Sequence, residues 1–269
     1  MPELFSLERG DTPLVVSIPH VGAWIPPSLR HLYTDEALAV ADTNWHLDRL
    51  CAFVREPGAT LIGARVSRYV IGTGRPTMKA AIRVRRRRAC TARKRSAANP
   101  STGLCAPDAA ERAARVAQWW QPYHDALAAE LARLRERHAN VLLWEAHSIA
   151  SVLPRLFDDK LPDLNLGTQD GRTCAGAVRR AAVDAMQASP FTSVANGRFK
   201  GGYITRNYGA PERGIHAVQL EMCQSTYMNE RAPFDYAVER AEAMQPTLAR
   251  MVGAALDAVR ALAPTSALS

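Results

Sequence analysis

Short β-branched apolar runs alternate along the chain with longer stretches of helical period. Residues 13–19 (PLVVSIP) form a compact apolar run closed by Pro19 and followed by His20, which predicts a buried strand delivering a loop. Residues 34–56 predict a helix in two stretches, capped by Thr34 and ended by Gly58; the second stretch, from Asp42, carries Trp45, Leu47, Leu50 and Phe53. A strand is predicted at 59–71, and 72–107 has no periodicity and reads as loop. Residues 108–139 repeat Ala114, Val116, Trp120, Leu127, Leu131 and Leu134 at helical spacing behind Asp108 as N-cap. Strands are expected at 141–147, 191–195 and 214–222, and helices at 172–188 and 233–262. Strands alternating with helices predict a single layered α/β domain, its sheet covered by helices.

The 269 residues, 47% hydrophobic and 22% charged, suit a soluble globular protein that needs no staple. No run of 18 apolar residues is present, which excludes a membrane span, and the early acids of MPELFSLERG argue against a secretory signal. Five scattered cysteines (51, 90, 105, 174 and 223) without CxxC spacing argue against a disulfide framework or a cysteine-based zinc site, and fit a reducing cytoplasm. The net charge of +8 is local: Lys79 to Arg95 carries nine cations inside a stretch free of acids, and the remainder is nearly neutral.

Ligands of open α/β sheets bind beyond the carboxyl ends of the strands. Three predicted strands end there in candidate groups: His20, the pair Glu145 and His147, and Glu221. Two neutral imidazoles and a carboxylate make a common three-ligand metal set with room for water, and a further carboxylate can take the proton as that water attacks a carbonyl. Any one histidine at a strand end is more often a hydrogen-bonded structural residue. His31, His124 and His138 read as surface residues, and His216 as a group facing neighbouring strands.

The blocks SIPHVGAWIP (17–26), DTNWHLDRL (42–50), GATLIGARVSRYVI (58–71), WEAHSI (144–149), PRLFDDKLPDLNLGTQDG (154–171), NGRFKGGYITRNYG (196–209) and HAVQLEMCQSTYM (216–228) resemble the N-formylglutamate amidohydrolase family. That resemblance implies a three-layer α/β/α sandwich with a mixed sheet, of the phosphorylase/hydrolase type related to zinc carboxypeptidases. It implies metal-dependent hydrolysis of N-formyl-L-glutamate to formate and L-glutamate in histidine degradation. His20 and His147 would hold a divalent metal, zinc above others. Asp48 and Glu145 both qualify as third ligand, with Asp48 favoured, and Glu221 is the candidate general base. Arg68, Arg198 and Arg206 suit the substrate's carboxylates, because a guanidinium fork makes paired hydrogen bonds, and Tyr203 and Thr205 are candidate donors to the substrate. The expected partner is this small molecule, not a membrane or a nucleic acid.

After Ile71 the chain departs from the family. Gly72 and Gly74 stand where an Asp and an Asn are expected, Asn44 replaces an expected Asp, and RVRRRRACTARKRSAANPSTG follows in place of an acidic loop. A reading-frame excursion in GC-rich coding sequence accounts for such Arg- and Ala-rich sequence. The competing account is a basic arm for nucleic acid or another anion, which the lack of aromatic residues disfavours. A weakly active homologue carrying such a loop is the alternative to an active deformylase.

Overall fold

The computed structural model describes residues 3–72, 108–154 and 157–264. The basic segment, with both readings of it, lies outside the described residues. The strands are β1 (Phe5–Glu8), β2 (Leu14–Ile18), β3 (Thr60–Ala64), β4 (Val141–Ile149), β5 (Leu164–Gly167), β6 (Ser193–Ala195) and β7 (Ile215–Cys223). The helices are α1 (Pro27–Arg30), α2 (Asp35–Leu38), α3 (Leu47–Leu50), α4 (Ala109–Arg115), α5 (Gln121–Arg135), α6 (Gly176–Gln187), α7 (Tyr203–Tyr208) and α8 (Val238–Arg260).

Among the described residues, seven strands join one mixed sheet in the order β1-β3-β2-β4-β7-β5-β6. The central strands β3, β2, β4 and β7 are parallel, whereas β1 and β5 run antiparallel to their inner neighbours. Alternation along the strands divides the core. Leu14, Val16 and Ile18 of β2, Leu142 and Trp144 of β4, and Val218 and Leu220 of β7 face α6 and α8 through Val178, Ala182, Met244, Leu248 and Met251. Val15, Leu143 and Ala217 face the other way, onto Tyr123, Leu127 and Leu131 of α5 and Ile204 of α7.

Several predicted boundaries shift for local reasons. The helix expected at 34–56 is broken: Thr34 caps a single turn, and left-handed Val40 and His46 turn the chain before α3. The strand expected at 59–71 stops at Ala64, although Val66 still bridges to Trp24. Asp108 does cap its helix, its side chain accepting from the Glu111 N–H, but a π-helical turn at Val116–Trp120 separates α4 from α5. That turn changes the phase of the buried stripe. Ala114 ends up exposed while Arg115 is buried. Beyond the turn His124, expected as a surface residue, lies on the same face as Leu127 and Leu131, buried and stacked on Trp120 at 3.9 Å. The helices expected from 172 and 233 begin later, at Gly176 and Val238. His216 is buried between elements, accepting from the Ala175 N–H and facing Asn140 Oδ1.

Candidate active site

On the α5-facing side of the central strands, the inward positions change from apolar to polar as the strands approach their carboxyl ends. Val141 and Leu143 are followed by Glu145 and His147 on β4, Ala217 by Gln219 and Glu221 on β7, and Val15 by Ser17 on β2. The register makes two polar tiers: Ser17, Glu145 and Gln219 lie side by side, and His147 lies beside Glu221. His20 follows β2 and brings its ring to 4.8 Å from that of His147, centroid to centroid. The three strand ends singled out from sequence therefore converge at the position where parallel sheets place their ligands.

The two buried imidazoles have opposite electrostatics. His147 Nε2 lies 2.6 Å from Glu145 Oε1, and its Nδ1 lies 3.3 Å from Asn44 Oδ1. The Asn44 amide is oriented by donating to the Ser148 carbonyl at 2.6 Å, so it presents oxygen to the ring. Oxygen atoms at both nitrogens favour the charged form of the ring. Burial opposes that charge, but the Glu145 carboxylate outweighs it and the His147 pKa is raised. His20 is held neutral, its pKa well below the ordinary value, first by burial and then by the Arg68 and His147 cations. Glu221 is buried too, and burial raises its carboxyl against the opposing pull of His147 and Arg68.

Above the tiers sits the first turn of α7. Thr205 donates to Glu145 Oε2 from its backbone N–H at 3.0 Å and from its hydroxyl, and the Gly202 N–H donates to Gln219 Oε1. Thr205, expected as a donor to substrate, spends its hydroxyl on Glu145 instead. Gly202 permits this approach: a Cβ there would stand 3.1 Å from Gln219 Oε1.

The remaining expected residues divide. Arg68 is half-buried, donates to the Asp42 carbonyl at 3.2 Å, and its charge acts on His20, His147 and Glu221. Arg198 is exposed over the Phe157 ring at 5.1 Å, and Arg206 is exposed and donates to the Gly201 carbonyl at 2.9 Å. Tyr203 packs against Trp120 and His124. Asp48 is exposed on α3 and is absent from the charges acting on either imidazole; Glu145 is the carboxylate in contact with His147.

The donor chemistry fits a divalent cation. His20 is neutral with a buried Nδ1 lacking a partner, a second imidazole lies beside it, and carboxylates adjoin. Among the described residues, no three His, Cys, Asp or Glu side chains are already gathered into a metal-holding cluster. Sequence reasoning passed over Gln219, although the alternation of HAVQLEM places it on the face of Glu221.

The family model of N-formylglutamate amidohydrolase matches residues 12–228. The N-formylglutamate deformylase of Pseudomonas aeruginosa is 43% identical over 269 residues, covering 94% of this chain and 96% of that protein. Its Pseudomonas putida counterpart is 41% identical over 272 residues, covering 95% and 97%. The crystal structure of N-formylglutamate amidohydrolase from Ralstonia eutropha JMP134 superimposes with a TM-score of 0.73 at 22% identity, covering 95% of this chain and 96% of that one. A protein from Agrobacterium tumefaciens superimposes at 0.70 with 19% identity over 95% of each chain. The structural matches carry the fold, the family model and the sequence relatives carry the kinship, and on that evidence the chain belongs to the N-formylglutamate amidohydrolase family.

Proposed function

We propose that this chain hydrolyses N-formyl-L-glutamate to formate and L-glutamate, as a step of histidine degradation. The observation that carries the reading is the convergence of His20, His147 and Glu221 at one end of the parallel strands, with Arg68 acting on all three. Glu221 takes a proton from water as the water oxygen bonds to the formyl carbon. It returns that proton to the amine nitrogen as the C–N bond breaks, leaving formic acid and the free amine, and the acid's proton passes to the amine to give formate and the ammonium of L-glutamate. A carboxyl raised by burial suits this work, because a base closer to neutrality exchanges protons in both directions. Arg68 binds a substrate carboxylate, with Tyr203 lining the approach and Arg198 and Arg206 as outer candidates.

His20 and His147 would hold a divalent metal, zinc above others, with Glu145 in preference to Asp48 as the third donor. When bound, such an ion polarises the formyl carbonyl and makes water more acidic. The mixed sheet with its site at the parallel strand ends supports the kinship with zinc carboxypeptidases that the sequence suggested. The buried thiols of Cys51, Cys174 and Cys223 support a cytoplasmic setting. No helix among the described residues is long and apolar enough to cross a membrane.

Formate release from N-formyl-L-glutamate tests the reading. The expected result is turnover that chelation removes and added zinc restores; turnover indifferent to chelation refutes the metal, and no turnover in any metal refutes the activity. A weakly active homologue, favoured by Gly72 where the family carries an acid, is recognised by zinc-dependent turnover far slower than that of the Pseudomonas relatives.

A further inference from the structure

The loops behind α7 concentrate left-handed backbone. Gln169 (φ 49°), Asp170 (φ 59°) and Asn196 (φ 52°) adopt it without being glycine, and Gly201 adopts it at φ 109°. Such conformations persist only where the surroundings enforce them, and they gather at functional sites. Here Asn196 enforces the turn. Its Oδ1 accepts from the N–H groups of Thr168 at 2.8 Å and Asp170 at 3.2 Å, and its Nδ2 donates to Thr168 Oγ1 at 3.0 Å.

The turn aims Gln169 at the backbone that launches α7. The Gln169 N–H donates to the Lys200 carbonyl at 2.6 Å, and Nε2 donates to the Gly201 carbonyl at 2.6 Å and to Lys200 O at 3.1 Å. From below, that same backbone rests on the end of β5, where a Cβ at Gly167 would stand 2.4 Å from the Gly201 nitrogen. Beyond the gripped segment come the Gly202 and Thr205 donors that fix Gln219 and Glu145.

We infer that Gln169 is a positioning residue for the hydrolysis: through Lys200 and Gly201 it holds the first turn of α7 against Glu145 and Gln219. The inference rests on the deformylase reading above. Gln169→Met keeps the side-chain length and removes both amide donations. The expected result is a kcat about tenfold lower, since small misplacements of a reacting constellation are costly, with KM within twofold. Amide hydrogen exchange over residues 200–206 accelerates in the same variant. Gly167→Ala displaces the same segment from the opposite side with Gln169 intact, so it reproduces both effects and serves if Gln169→Met does not fold. A folded Gln169→Met with kcat within twofold of wild type, a change confined to KM, or unchanged exchange over 200–206 overturns the inference. A wild-type chain that releases no formate removes the hydrolysis and the positioning role together; an active wild type beside an unimpaired Gln169→Met removes the positioning role alone.

Discussion

Replacing Thr205 by valine removes one hydroxyl from a fully buried position and leaves the side-chain shape almost unchanged. In the native protein that hydroxyl donates to Glu145 Oε2, which also accepts the Thr205 N–H at 3.0 Å, while Oε1 lies 2.6 Å from His147 Nε2. The substitution therefore removes one of three contacts to a buried carboxylate. A hydrogen bond to a charged group is worth about 1.5–3 kcal/mol. At about 2–4 °C per kcal/mol for a chain of this size, the midpoint should fall by roughly 3–12 °C. Glu145 also orients His147, so formate release should fall about tenfold. Thr205→Ser keeps the donor and loses one methyl group, a change of about 0.8 kcal/mol, and should retain most turnover. Thermal melts followed by circular dichroism and formate assays of both variants check this. If Thr205→Val melts within a degree of wild type and keeps at least half its kcat, the hydroxyl does not hold Glu145.

Glu221→Gln should lower kcat by about 10²- to 10⁴-fold while melting at or above the wild-type temperature, because it removes a carboxyl that burial disfavours in its charged form; activity above a tenth of wild type rules out the general base. Arg68→Ala should raise KM at least tenfold, whereas Arg198→Ala, which loses a contact over Phe157, should change it less than threefold; the reverse order would move the carboxylate clamp outward. His216 is pushed down to about 4, first by burial and then by the Arg135 guanidinium, so it is neutral in the fold and takes up a proton more readily when unfolded. Its contribution is fully present above about pH 6.5 and is lost as pH falls towards 4, up to about 3 kcal/mol. Melting from pH 7 to 4 should therefore fall more steeply for wild type than for His216→Gln, and parallel curves would refute the assignment.

What could be read from the sequence depended on how many residues carried each signal. The core strands were legible because VLLWEAH and GIHAVQLEM each combine a continuous apolar face with alternating positions on the other. Their place at the carboxyl ends of those strands marked Glu145, His147 and Glu221 as candidate groups. The four-residue strand β5 gave no comparable signal, and α7 is too short to show a helical period behind its glycine pair. In the long helical region the pattern predicts one continuous phase, whereas the π-helical turn inserts a residue's worth of rotation. That rotation exposes Ala114 and buries Arg115 ahead of the turn, whereas His124, four residues after Trp120 and three before Leu127, already shares their buried face in a regular helix.

Asp48 illustrates a different limit. The LDRL stretch has a helix signal, and α3 does form there, but a helix's period says nothing about how its faces are turned towards a distant strand end. That orientation is set by left-handed His46, whose ring bonds the Phe234 carbonyl at 2.7 Å, a contact spanning most of the chain. As a result α3 buries Leu47 and Leu50 and leaves Asp48 in solvent, while Asn44, just before the turn, reaches His147. Residues fixed within a strand keep their facing from sequence to structure; residues on short helices take theirs from the loops that precede them. The site is accordingly most legible on β4 and β7 and least legible at 44–48. Its first turn of α7 falls between these cases, because the facing of Thr205 depends on the glycines before it and on the loop that grips them.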